Sequence, residues 1–307
     1  MILCGGDALI DFVPVIEPDG GTGFVPRVGG AILNAATALR RLGEDVSFVG
    51  ALSSDMFGDL LHQHMQNEGI ETDHVERTDD DSTLAFVTLE KGDPKYAFYD
   101  RASAGRLWRG PGPLLSADAL HLGSLTLIGD PAASAYTSMA ERLADEMVIS
   151  LDPNCRPALV SDVPVYRARV RRVATVSHII RLSEADLAFV FPDIEESGVV
   201  SKLLNGLTKL VIVSRGSNGA SAYWSGGHLD VPAKSVAVCD SIGAGDTFHA
   251  GVLASLSREG FLSQSGLDKL DEKTMSRCLE LASTAAALNC QENGCNPPRL
   301  DAVLAAI

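Results

Sequence analysis

The chain has 307 residues, 46% of them hydrophobic and 21% charged, with a formal net charge of −15. Such a length and composition describe a globule with a large buried core. The negative balance argues against a nucleic-acid partner, whose phosphates would be repelled, and apolar runs fall short of the about 18 residues that a membrane span needs.

The start, Met1–Asp7, lacks the basic stretch of a signal peptide. Cys4, Cys155, Cys239, Cys278, Cys290 and Cys295 form no CxxC pair. They read as reduced, mostly buried thiols of a cytoplasmic protein, with a Cys290–Cys295 bridge as the alternative. The histidines lack the spacing of a metal site.

Met1–Phe12 is apolar around Gly5-Gly6-Asp7 and predicts one kinked, buried strand ending at Asp11. An acid there is costly unless it binds something, and ligands of open α/β sheets sit at the carboxyl ends of strands. Asp11 is therefore either a grip for substrate hydroxyls or a turn acid. Val13–Pro26 alternates apolar residues with Gly and Pro, as short irregular strands do. Gly29 and Gly30 let the backbone approach a ligand closely. The helix that follows stops at Gly43, and Asn34 near its start offers both a donor and an acceptor.

Asp45–Ala51 predicts a strand and Met56–Glu68 a helix, capped by Ser53-Ser54-Asp55 and ended by Gly69. Thr83–Leu89 and Lys95–Tyr99 flank the turn Glu90–Pro94 and predict a hairpin. With Val13–Pro26 it would form a small β-lid, about 13–27 and 83–101. Arg101, just beyond, is either a ligand contact or a surface arginine.

After Arg106 strands and helices alternate. Strands are expected at Ala119–Leu122, Met147–Leu151, His178–Leu182 and Lys209–Ser214; helices at Pro131–Asp145, Pro164–Ala174 and Glu184–Leu204, with a break near Pro192. This order implies a parallel sheet covered on both faces, within a single α/β domain of residues 1–307. The strands end in Gly123-Ser124, Asp152-Pro153-Asn154, Ser183-Glu184 and Ser214-Arg215-Gly216, which should line one common cleft. Ala220–Trp224 and His228–Val231 read as an edge hairpin, Met275–Leu288 as a helix, Asn289–Pro298 as a loop and Leu300–Ile307 as a short closing helix.

The chemistry is expected at Cys239–Phe248. Gly243 and Gly245 flank Ala244 at the start of a helix, whose unpaired N–H groups and dipole can hold a phosphate. Asp246 in the first turn could take a proton from an attacking hydroxyl. The bland alternative is a glycine turn with a capping acid. Cradle and base together suggest phosphoryl transfer from a nucleotide to an alcohol. A dinucleotide oxidoreductase would need a GxGxxG after the first strand, which is missing.

Gly29-Gly30-x-x-x-Asn34-x-Ala36-x-x-Leu39-x-Arg41-Leu42-Gly43 and Asp240-Ser241-Ile242-Gly243-Ala244-Gly245-Asp246-Thr247-Phe248 resemble the two signatures of the ribokinase-like (PfkB) sugar kinases. The second normally reads DTxGAGDxF, so Ser241 departs from it. Motif order is preserved along the whole chain. The resemblance implies a ribokinase-like three-layer sandwich with a mostly parallel central sheet and a β-lid. It implies an ATP-dependent kinase with Asp246 as general base and the N–H groups of Gly243, Ala244 and Gly245 as anion hole. Asp11, Gly29, Gly30 and Asn34 would hold the sugar. Asp152-Pro153-Asn154-x-Arg156 is similar to DPNxR and puts Arg156 near the phosphates. Ser183-x-x-Asp186 stands where NxxE is usual, a segment linked to Mg2+ and phosphate. Both residues are replaced here, so Mg2+ could rest mainly on the nucleotide and water. Ser214, Gly216 and Gly219 match the nucleotide-binding TxGxxG stretch, and Asn289 and Gly294 the loop beside the adenine. Asp240 and Ile242 would contribute to a monovalent cation site, for K+.

Within the family the fructokinases are most similar. Gly6-Asp7-Ala8-Leu9-Ile10-Asp11-Phe12-Val13-Pro14 resembles their GEALIDFxP, with Asp7 for Glu. Phe98-Tyr99-Asp100-Arg101 resembles their FYR, with one residue inserted. The implied reaction transfers the γ-phosphate of ATP to a hydroxyl of fructose. The alternatives are 2-keto-3-deoxygluconate kinase and a catalytically silent sugar or nucleotide sensor on the same fold. An exposed β-lid could also pair with a second copy as a homodimer.

Overall fold

The computed structural model describes residues 1–16, 20–90, 93–113 and 116–307. The N-terminal part runs β1 (Ile2–Gly5), β2 (Leu9–Ile16), β3 (Thr22–Gly29), α1 (Ala31–Arg41), β4 (Val46–Ser53), α2 (Met56–Glu68), β5 (Glu71–Thr78), β6 (Leu84–Glu90), β7 (Asp93–Tyr99) and α3 (Ala104–Leu107). Alternation then sets in with β8 (Ala119–Gly123), α4 (Ala132–Leu143), β9 (Val148–Asp152), α5 (Val163–Ala174), β10 (Ile179–Ser183), α6 (Glu184–Val190), α7 (Glu196–Leu204) and β11 (Leu210–Ser214). The chain closes with β12 (Ala220–Trp224), β13 (Gly227–Val231), α8 (Ala244–Arg258), α9 (Gln264–Leu267), α10 (Glu272–Asn289) and α11 (Leu300–Ala306).

Nine strands form one sheet in the order β13-β12-β11-β10-β9-β8-β1-β4-β5. From β5 to β11 neighbours are parallel, and β12 and β13 add an antiparallel hairpin at the edge. The central strands β1, β8 and β9 are buried at every position, as a sheet covered on both faces requires. One face packs Leu33, Leu39, Leu253 and Leu279 from α1, α8 and α10. The other packs Tyr136, Met139, Val170 and Val199 from α4, α5 and α7. The result is a three-layer sandwich with α8, packed between α1 and α10, running into the core. Among the described residues no helix is long and apolar enough to cross a membrane.

Local signals hold where the backbone demands them. Asp55 caps α2 by accepting from the Phe57 and Gly58 N–H groups, and Gly69 ends it in the left-handed region.

A second, four-stranded sheet has the order β3-β2-β6-β7. It contains the expected β6–β7 hairpin, and where short irregular strands were expected over Val13–Pro26 it has a regular antiparallel pair, β2 and β3, that starts at Leu9, earlier than residue 13. Lys91 and Gly92, at the tip of the expected Glu90–Pro94 turn, lie outside the described residues, as do positions 17–19 within the other hairpin.

The single strand expected over Met1–Phe12 is in fact two strands. The Gly6 N–H still reaches the Val49 carbonyl of the large sheet at 3.1 Å, but Asp7 then turns to α1 and β2 enters the small sheet. Asp11 therefore sits inside β2, paired across to Arg27 of β3, and not at the end of a strand of the large sheet. Strand β5 (ETDHVERT) was not foreseen; its residues are half-buried or exposed at the sheet edge, so no apolar run marks it. All six cysteines are free, and Cys4 and Cys278 alone are fully buried, fewer than expected.

Candidate active site

Helix α8 begins beneath the mouth of the large sheet. Its N-cap, Gly243, has φ 73°, a value that side-chain-bearing residues rarely adopt. A Cβ there would also run into the Cys295 side chain. The Thr247 N–H reaches the Gly243 carbonyl at 2.8 Å, so the preceding N–H groups lack partners inside the helix. Ala244 departs from the expected cradle, because its N–H donates to the Ser241 carbonyl at 3.2 Å. Gly245 and Gly243 remain the small residues beside it.

Asp246, in the first turn of α8, is buried, with both carboxylate oxygens held by amides. Asn34 Nδ2 of α1 donates to Oδ2 at 2.9 Å and Asn154 Nδ2, after β9, donates to Oδ1 at 3.1 Å. Burial pushes the Asp246 pKa up, while the Asn34 hydrogen bond and the Arg156 and Arg181 charges oppose that rise. The carboxylate is thus aimed, and its affinity for a proton is raised, as a base near neutral pH requires. Asn154 escaped the sequence reading although it stands inside Asp152-Pro153-Asn154. Its positive φ of 39° is a backbone trait that sequence does not print.

Arg156 donates to the Asn154 carbonyl at 2.9 Å and to its Oδ1. It therefore turns the Asn154 amide nitrogen toward Asp246. Its charge also opposes the raised pKa values of Asp7 and Asp11. Arg156 accordingly groups with Asp7 and Asp11 and does not line the cavity described next.

On the other side of α8 lies a cavity of about 540 Å³, large enough for a nucleotide. Ser214, Gly216, Gly219, Ala244 and Gly245 line it, as do Ala286 and Cys290 of the α10 end. Asn289 does not. It is fully buried, donating to the Ile242 carbonyl at 2.8 Å and accepting from the Asn296 N–H at 3.0 Å, and so ties the cradle loop to the C-terminal loop. Ser183 and Asp186 form a capping box at the start of α6 and are likewise outside the cavity lining. Asp186 is buried and accepts from Cys155 N–H and from both the N–H and hydroxyl of Ser183. No carboxylate lines the cavity among the described residues, so the residues present do not offer Mg2+ a ligand of their own there. Asp240 accepts from the Ile242 and Gly294 N–H groups at 3.0 Å each, which folds the loop on itself.

On the side of Asp246 that faces the small sheet, the Asp11 carboxylate lies over Gly29, where any Cβ would collide with it. Burial raises its pKa to about 6. Gly30, with φ 104°, caps α1 and leaves no room for a side chain beside the Asp7 carbonyl. Phe98 packs with Leu9, Ala85 and Leu125 between the sheets. Arg101 is exposed, whereas Asp100 is paired with Arg106. Asp7, missed as a site residue, is buried with Oδ2 taking the Ala31 N–H at 3.0 Å and Oδ1 without a protein partner. Burial, aided by the Asp246 charge, raises its pKa to about 7. Its signal was an acid inside the apolar opening run.

A buried carboxylate held by two amides stands between a cavity of nucleotide size and the carboxylates of Asp7 and Asp11. Residues 1–302 match the model of the pfkB family carbohydrate kinases. The chain belongs to that family. It is 40% identical over 278 residues to a fructokinase of Rhizobium leguminosarum bv. trifolii, which covers 90% of this chain and 85% of that protein. The fructokinase of Xylella fastidiosa, solved with bound ATP, superposes with a TM-score of 0.90 at 29% identity, over 99% of this chain and 97% of that one. The fructokinase of Vibrio cholerae O395, solved with fructose, ADP and calcium, gives 0.86 at 25% identity over the same shares. This kinase therefore has the ribokinase-like fold that its signatures implied.

Proposed function

We propose that this kinase transfers the γ-phosphate of ATP to a hydroxyl of fructose, with Asp246 as general base. The observation that carries the reading is the carboxylate of Asp246 at the head of α8, fixed by Asn34 and Asn154 between the cavity and the small sheet. The names of its relatives support fructose as the acceptor. ATP would lie in the cavity along Ser214, Gly216 and Gly219, its phosphate tail pointing at Gly243 and Gly245. The acceptor would lie against Asp11, Gly29, Gly30, Asn34 and Phe98. As the hydroxyl oxygen attacks the γ-phosphorus, its proton passes to Asp246, the bond to ADP breaks, and free N–H groups of the first turn stabilise the transferring oxygens. Mg2+ would ride on the phosphates and water and offset their charge.

The small sheet would act as a lid that excludes water once the sugar is bound. Ile16 at the far end of β2 is 80% exposed and Tyr99 on the edge strand β7 is 64% exposed, apolar surface on which a second copy could pair. K+ beside the Asp240 loop and a cytoplasmic location complete the reading.

The test is an acceptor screen with MgATP over fructose, ribose, glucose, 2-keto-3-deoxygluconate and adenosine, in which fructose gives the highest kcat/KM. Asp246→Ala lowers kcat by about 10²–10⁴-fold with sugar binding kept. Turnover within tenfold of the parent would remove Asp246 from the role of base.

A further inference from the structure

Arg181 is a buried cation in the middle of an apolar strand, flanked in β10 by Ile180 and Leu182. Its guanidinium lies directly behind the cradle. A Cβ on Gly245 would come within 2.9 Å of Nη2 and 3.1 Å of Nη1. The same side chain lines the nucleotide cavity. Two contacts hold it: Nη1 donates to Asp152 Oδ2 at 2.9 Å and Nη2 to Ser214 Oγ at 2.6 Å.

As a purely structural ion pair this arrangement is poor. Among the described residues Arg181 Nε and Asp152 Oδ1 have no hydrogen-bond partner, and neither do Thr247 Oγ1 and His249 Nδ1, the last lying 3.8 Å from Asp152 Oδ2. A buried pair so incompletely bonded can often be replaced by apolar residues without loss of stability. What the guanidinium does supply is a cation fixed on the cavity wall, with its Asp152 partner outside that lining, where a phosphoryl group would meet the helix start.

We propose that Arg181 is a positioning residue for phosphoryl transfer, a cation locked by Asp152 and Ser214 behind Gly245 that draws the γ-phosphate into line with Asp246. The role rests on the phosphoryl-transfer reading above. Asp246 also feels Arg181 directly. The charged or titratable groups around it are Asp7 from the β1–β2 link, Asp152 at the end of β9, Arg156 beyond it, Arg181 on β10 and Cys295 in the C-terminal loop. Arg181 and Arg156 are the two that favour its ionised form.

The test uses the full chain with MgATP and fructose. Arg181→Met alone leaves the buried Asp152 carboxyl without its ion partner, so it is paired with Arg181→Met/Asp152→Asn, which removes both partners together. The double variant melts within a few degrees of the parent but loses kcat by about 10²-fold, with the fructose KM within threefold. Arg181→Lys, which keeps a point charge without the fork, recovers part of kcat. In the single variant the acid limb of kcat/KM moves to higher pH, because one of the two charges opposing protonation of Asp246 is gone. A double variant that melts normally and keeps kcat within threefold overturns the proposal. Asp246→Asn, measured beside it, separates the two readings. If activity is lost in Asp246→Asn and kept in the double variant, the role of Arg181 falls and the proposed function stands. If it is kept in both, both fall.

Discussion

The two sides of Asp246 are built from different materials. The nucleotide side is mostly main chain and small side chains, with Arg181 the one arginine in its lining among the described residues. The acceptor side gathers Asp7, Asp11 and Asp246 around Arg156. On the function proposed above, the difference follows from the ligands. A phosphate wants donors, which an uncapped helix start offers at no cost in side-chain charge. A sugar hydroxyl also donates, and the carboxylates of Asp7 and Asp11 would be acceptors for it. One side is thus sensitive to backbone shape and the other to charge.

Damage to the shape of the cradle should be the most severe. Gly243→Ala forces a side chain into the left-handed region and against Cys295, so kcat should fall by about 10²-fold or more. Circular dichroism and a melting curve would check that the fold survives. An unchanged kcat would mean the cradle tolerates a displaced first turn.

On the acceptor side charge should matter more than shape. Asp11→Asn is nearly isosteric and should raise the fructose KM by about tenfold or more, the cost of weakening a bond to a charged acceptor, while the ATP KM stays constant. The effect has a pH signature. The Asp11 pKa is raised to about 6, so the parent's fructose KM should climb as pH falls through 6, whereas the Asn variant stays flat. Equal shifts in both KM values would dissolve the division between the sides.

The smallest effect concerns stability. Burial raises the Asp7 pKa to about 7. The folded state then holds a proton that the unfolded chain, with an ordinary carboxylate, releases near pH 4. The stability from that protonation is fully present below the unfolded value and is lost as pH rises through 7. Asp7→Asn, which cannot ionise, should therefore raise the melting temperature by about 2–6 °C at pH 8, and the gain should vanish toward pH 4. A gain that persisted at pH 4 would point to packing in place of charge.

The same division explains what could be read from the chain beforehand. The cradle is contiguous, and Gly243, Gly245 and Asp246 announce both the helix start and its chemistry. The parallel sheet was legible because Ala119–Ser214 alternates apolar runs with helical ones. The acceptor wall is assembled from segments that sequence cannot bring together. Asp7 lay inside what read as one strand, and Asn154 acts through a backbone angle. Arg181 was hidden in an apolar strand, although a lone charge between Ile180 and Leu182 is itself a signal. Asn289 and Ser183 were expected at the nucleotide and Asp186 at Mg2+, but outside the cavity lining all three make internal clasps, because capping and ligand binding draw on the same residue types.

The small sheet meets the large one along a single rim. Its register pairs Leu9 with Gly29 and Leu84 with Tyr99, and Ile10 lies beside Leu84, so all four chain crossings are at one end. Ile16, Thr22, Glu90 and Asp93 fall at the opposite end. Residues added beyond those tips extend the hairpins outward and leave the crossings in place. The protein can therefore vary in length at those tips, or carry a graft there, without disturbing the distance between Asp11 and Asp246.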